Sequence, residues 1–131
     1  MVGNPSEKGL IRESKDAAVE VGTKATERNE TNDKDLYGGL IRLHILHHAA
    51  EAPIFGLAII EELRHHGYEI SAGTLYPMLH GLEKKGYLRS HHERTGRRER
   101  RMYEITDEGR VALADAKVKV RELFGELIEG H

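Results

Sequence analysis

Apolar residues in the second quarter of the chain recur at the helical period. Leu36, Leu40, Leu43 and Leu46 or His47 are spaced three and four apart, which places them on one face of a helix. That pattern predicts a first helix over about 35–50, broken at Pro53. Leu57, Ile60 and Leu63 share a face of a second helix over about 56–66, which Gly67 closes. Ser71 is a good N-cap for a third helix running to about 85, with Leu75, Met78, Leu79 and Leu82 inward. Pro77 lies inside that helix, where proline normally costs about 3 kcal/mol.

The period then changes. YLRSHHE at 87–93 and RMYEIT at 101–106 read as two strands around a turn at Thr95–Gly96, which makes a hairpin. Thr106 caps a last helix over about 107–130. Its apolar positions Leu113, Ala116, Val120, Leu123 and Leu127 step by 3, 4, 3 and 4, a heptad seam widened by Phe124. Three helices, a hairpin and a helix, with a short turn between the second and third helices, are the layout of a mainly α winged helix-turn-helix. The expected division is a polar extension at 1–34, a winged-helix domain at 35–106 and a C-terminal dimerisation helix at 107–131. Thirteen of the first 34 residues are charged and none is aromatic, so the extension reads as flexible or partly helical, with a short helix near 10–21.

Composition narrows the chemistry. The chain lacks cysteine, which excludes disulfides, thiolate metal sites and a thiol nucleophile. No apolar run nears the roughly 18 residues of a membrane span, and the N-terminus is not patterned as a signal peptide, so the expected location is the cytoplasm. The net charge of −2 is not the footprint of a nucleic-acid binder. Its distribution is. Residues 86–105 carry six basic and three acidic side chains, while the other segments are mildly acidic. The excess sits in RTGRRERR, where Arg94, Arg97, Arg98, Arg100 and Arg101 face a single glutamate. Guanidinium forks match phosphate oxygens and groove edges; alone, the cluster reads equally as a solvated basic loop. On the third helix the outward positions Ser71, Ala72, Thr74, Tyr76, Pro77, His80 and Lys84 suit contacts to phosphates and base edges. Tyr76 suits packing on a neighbouring element equally well.

Those residues carry a resemblance. SAGTLYPMLHGLEKKGYL at 71–88 resembles the recognition-helix signature of the PadR family of bacterial winged-helix regulators. GRRERRMYEITDEG at 96–109 is similar to that family's wing, and PIFGLAIIEELRHHG at 53–67 to its second helix. The likeness covers about 36–113 and departs at Phe55 and Leu57, where relatives often carry tyrosine around the glycine. It implies a homodimeric transcriptional regulator, usually a repressor, whose last helix is exchanged between subunits. DNA contacts would then fall on Ser71, Thr74, Tyr76, Pro77 and the wing arginines.

The last helix supports pairing independently of the resemblance. Its apolar stripe would otherwise lie in water, and two-fold pairing spaces two recognition helices for a palindromic site. The competing arrangement folds this helix back on the first one. A small-molecule effector is expected between the first and last helices, releasing the DNA by changing the angle between the two heads. No cofactor is called for. Among nine histidines, His44 and His48 stand i, i+4 and can share one metal, which leaves a metal- or haem-responsive regulator as one alternative and a protein-interaction module as another. Enzyme motifs such as a phosphate loop, GxSxG or HExxH are missing from the sequence.

Overall fold

The computed structural model describes residues 22–130. The chain divides into two units, Met1–Asp35 and Leu36–His131. The expected helix near 10–21 lies outside the described residues. Helix α1 spans Gly22–Glu51, and the second unit begins within it. The helix therefore starts well before position 35. Residues 22–34 have no apolar stripe to betray a helix, yet they contain no proline to interrupt one.

After α1 come β1 (Ile54–Phe55), α2 (Gly56–His65), α3 (Ala72–Lys84), β2 (Leu88–Thr95), β3 (Arg98–Ile105) and α4 (Asp107–Leu127). The three strands form one antiparallel sheet in the order β1-β3-β2. Strand β1 was not expected. Two residues carry no periodic signal, and only the free edge of β3 recruits them, pairing Ile54 with Tyr103 and Phe55 with Met102. The hairpin strands are also longer than their apolar content suggests. Thr95 pairs with Arg98, which leaves Gly96 and Arg97 as the turn, with Gly96 at φ +64.

The core of the second unit is one apolar cluster of Ile41, Ile45, Leu46 and Ala49 from α1, Ile59 and Leu63 from α2, and Leu75, Met78, Leu79 and Leu82 from α3, closed by Leu88, Tyr103, Ile105 and Leu113. The third helix faces inward as its spacing predicts. The first two do so in part: Leu46 and Leu63 are buried, and Leu43 and Ile60 pack against the core. Leu36, Leu40 and Leu57 are exposed, and Ile41, Ile45 and Ile59 take the inward places. In both helices several apolar rows compete, and packing against α3 selects one of them. Pro77 is accommodated inside α3.

Two caps hold the corners. Ser71 Oγ accepts from Thr74 N–H at 3.3 Å to start α3. Thr106 Oγ1 accepts from Gly109 N–H at 3.0 Å to start α4, and donates to the Gly86 carbonyl at 2.5 Å. The second bond ties α4 to the turn between α3 and β2. Gly109 must be glycine, because a Cβ there would collide with the Tyr87 carbonyl.

Candidate nucleic-acid interface

The outer side of α3 carries the residues that its sequence pattern points outward. Ser71, Pro77 and His80 are exposed, and Thr74 and Tyr76 are half-buried. Ser71 and Thr74 are also the capping pair, so their hydroxyls serve the helix start as well as its surface. Tyr76 resolves the ambiguity of its position in part. Its ring lies against Gly56 so closely that a side chain there would overlap it. The first turn of α2 and the outer face of α3 are thereby locked together through one tyrosine.

The arginines are not clustered at a loose tip. Only Arg97 sits in the turn; Arg94 lies on β2, and Arg98, Arg100 and Arg101 lie on β3. The ladder sorts them by face, since directly paired residues project to the same side. Arg101 pairs with His92, and Arg94 with Glu99, on the side that continues into the buried Tyr103 and Ile105. Arg98 and Arg100 project to the other side, with Met102 and Glu104.

Two of the five are pinned. The Arg100 guanidinium stands 4.2 Å from the centre of the Phe55 ring, a cation–π contact that holds it over β1. Arg101 Nε donates to Ser90 Oγ at 3.1 Å, and Ser90 Oγ donates to Glu83 of α3 at 2.7 Å. Arg101 also meets His92 Nε2 at 3.3 Å, while His92 Nδ1 lies 3.5 Å from Glu99. Accepting at Nε2 leaves the His92 hydrogen on Nδ1, directed at the carboxylate. The wing root is thus bonded to the end of α3. At its base, Arg89 and Glu104 pair at 2.7 Å. The hydrogen bond from Arg89 holds the Glu104 carboxyl below its usual range, and the same bond raises the guanidinium of Arg89.

A cleft of about 390 Å3 opens between these parts, lined by Phe55, Gly56, Tyr76, Arg98, Arg100 and Arg101 among others. It lies at the N-terminus of α2, where Phe55 supplies no side-chain cap. Three guanidinium groups, the positive end of a helix and a phenol outweigh the one carboxylate in the lining, Glu99, and suit an anion. Phe55, Gly56 and β1 were not among the sequence-based site residues. Proline followed by a short apolar pair was the only signal available for them.

A second surface of the second unit is lined by other residues. Leu40, Leu43, His44 and His47 of α1 face Leu113, Ala116, Val120 and Phe124 of α4 across an apolar groove of about 500 Å3. Of the proposed dimerisation residues, Leu113 belongs to the chain's own core and Ala116 is half-buried. Val120, Leu123, Phe124 and Leu127 are exposed at 42–71%. The first turns of α4 therefore fold back on the chain, and its remainder does not.

The match to known proteins follows this architecture. The model of the transcriptional regulator PadR-like family covers residues 45–115, from the last two turns of α1 to the middle of α4. The chain belongs to this family. It is 46% identical over 91 residues to the transcriptional regulator Rv3488 of Mycobacterium tuberculosis, covering 70% of this chain and 85% of that protein. A PadR family transcriptional regulator from Eggerthella lenta superposes with a TM-score of 0.64 at 31% identity, covering 85% of this chain and 94% of the other. The protein smu.1704 of Streptococcus mutans gives 0.62 at 31% identity, over 70% and 84%. As a PadR-like transcriptional regulator the chain has DNA as its implied partner. No helix among the described residues is long and apolar enough to cross a membrane.

Proposed function

We propose that this PadR-like regulator is a homodimeric repressor that binds a palindromic operator. Helix α3 enters the major groove with Ser71, Thr74, Pro77 and His80 toward the DNA. The exposed Arg94, Arg97 and Arg98 reach flanking phosphates or the adjacent minor groove. The α2 start, with Tyr76, Arg100 and Arg101, holds one phosphate of the strand between them. The observation that carries this reading is the bonded link from Arg101 through Ser90 to Glu83, which makes the wing and α3 a single presenting unit.

Pairing through α4 covers Val120, Leu123, Phe124 and Leu127 and spaces the two α3 helices about one DNA turn, roughly 34 Å, apart. Repression follows from occupying the promoter. The α1–α4 groove has the size and apolar lining of a small-molecule site. An effector seated there changes the angle between the two heads and releases the operator.

The test is fluorescence anisotropy on DNA from the region upstream of the gene, at about 50 and 200 mM salt, with wild type beside Arg97→Ala/Arg98→Ala. Each phosphate contact contributes about −0.9 to the slope of log affinity against log salt. The expected result is tight, salt-steep binding in wild type and a slope shallower by about two in the variant. A folded, dimeric protein with no sequence preference on that DNA would defeat the autoregulatory form of this reading. A shallow salt slope on every DNA tried would point to a protein partner instead.

A further inference from the structure

Away from the α3–wing face, three imidazoles meet where α1 passes the end of α2. His44 and His48 stand one helical turn apart on α1, and His66 is the C-cap residue of α2. One ring nitrogen from each lies within 4.8 Å of the others. The rings stack, with centroids 4.6 Å apart for His44 and His66 and 5.6 Å apart for His48 and His66.

The cluster is a costly one for a surface with nothing to bind. Nε2 of His48 is buried and has no hydrogen-bond partner, and an unmade bond at such an atom typically costs about 1–3 kcal/mol. The nearest carboxylate, Glu62, is 3.9 Å from it, beyond hydrogen-bond reach. Nδ1 of the same ring lies 3.7 Å from Glu51. At 3.7 Å the Glu51 carboxylate is also beyond hydrogen-bond reach, so it does not fix the ring.

We propose that His44, His48 and His66 form a site for one divalent cation of the zinc, cobalt or nickel type. Three imidazole nitrogens without thiolate select late first-row metals over magnesium or calcium. Tetrahedral coordination at about 2.0–2.1 Å sets ligand nitrogens roughly 3.4 Å apart. The gap is closed by rotating the exposed His66 ring, whose backbone is already fixed by the bonds of its N–H to Leu63 and of the next N–H to Arg64. Water takes the fourth position, and Glu62 balances charge beside His48. A rival triad of His47, His48 and Glu51 shares one member, but two of its three groups are exposed, against one in the set of His44, His48 and His66. The site stands independently of DNA binding. It bears on regulation because His44 also lines the α1–α4 groove.

The test titrates the full chain, without any added polyhistidine, with Co2+ followed by visible absorption, and with Zn2+ in competition. The expected result is one cation per chain with a tetrahedral Co2+ spectrum. Affinity should fall at least tenfold in His44→Ala and in His66→Ala, each checked for native circular dichroism, and stay unchanged in His65→Ala and His47→Ala. Loss in His47→Ala with retention in His66→Ala would overturn the assignment in favour of the rival triad. No stoichiometric uptake by wild type would overturn it outright.

Discussion

Helices α3 and α4 have similar proportions of apolar residues and opposite fates. Helix α3 has 13 residues and buries Leu75, Met78, Leu79 and Leu82. Helix α4 has 21 and buries only Gly109 and Leu113. The apolar side of α3 is satisfied inside its own chain, so what it shows outward is polar. The apolar side of α4 outlasts the domain it leaves, so from Val120 onward it shows Leu123, Phe124 and Leu127. A helix whose apolar side is closed within its chain and a helix whose apolar side is left open differ in this physical respect before any partner is present.

The contrast breaks most visibly under truncation. Leu79→Ala removes a fully buried side chain and should cost about 2–5 kcal/mol, read as a fall in the denaturant midpoint. Phe124→Ala, at 49% exposure, should change the stability of an isolated chain by no more than about 0.5 kcal/mol. It should instead weaken self-association in sedimentation. Equal losses from the two would mean that α4 packs along its whole length on its own chain.

The caps sharpen the comparison at a smaller scale. Loss of an N-cap hydroxyl costs about 0.5–2 kcal/mol. Thr106→Ala should lie at the upper end, because Thr106 also bonds Gly86 and anchors α4 to the α3–β2 turn. Ser71→Ala loses a longer bond, 3.3 Å, and should lie lower. Thermal melts at one pH rank the two, and the reverse order would remove the anchoring role of Thr106.

The smallest effect is electrostatic. The carboxyl of Glu104 titrates below its unfolded value because Arg89 hydrogen-bonds it. A depressed carboxyl pKa contributes stability above the unfolded pKa and loses it as pH falls through the folded one. The pair is exposed, so the effect is slight. Glu104→Gln should lower neutral stability slightly and converge with wild type as pH falls from about 5 to 3, so that its acid-side decline is shallower. An unaltered acid limb would show that the pair contributes nothing measurable.

Legibility in the sequence followed the strength of local signals. The inward face of α3 and the caps Ser71 and Thr106 were readable, since cap chemistry and helical spacing act over a few residues. The start of α1 was not, because a polar helix has no period of its own. In α1 and α2 only part of the inward face was readable, Leu46 and Leu63 but not Ile41, Ile45 and Ile59, because apolar rows compete. The wing was read too short, since charged strand residues are held by ladder bonds with β1 and β2 rather than by their own alternation. Of the site, the α3 residues and the arginines were visible one by one, but their separation into two faces of a ladder was not.

The sequence alone determined the order of the helices and the hairpin, the caps Ser71 and Thr106, the basic character of the wing and the membership carried by GTLYP and its flanks. These depend on residues near one another in the chain. Tertiary structure decided which arginines are pinned and which project, that Tyr76 locks α2 to α3, and that His44, His48 and His66 converge. It also decided where α4 stops belonging to its own core. Each of these joins residues from separate elements, and no spacing within one element encodes a distance between two.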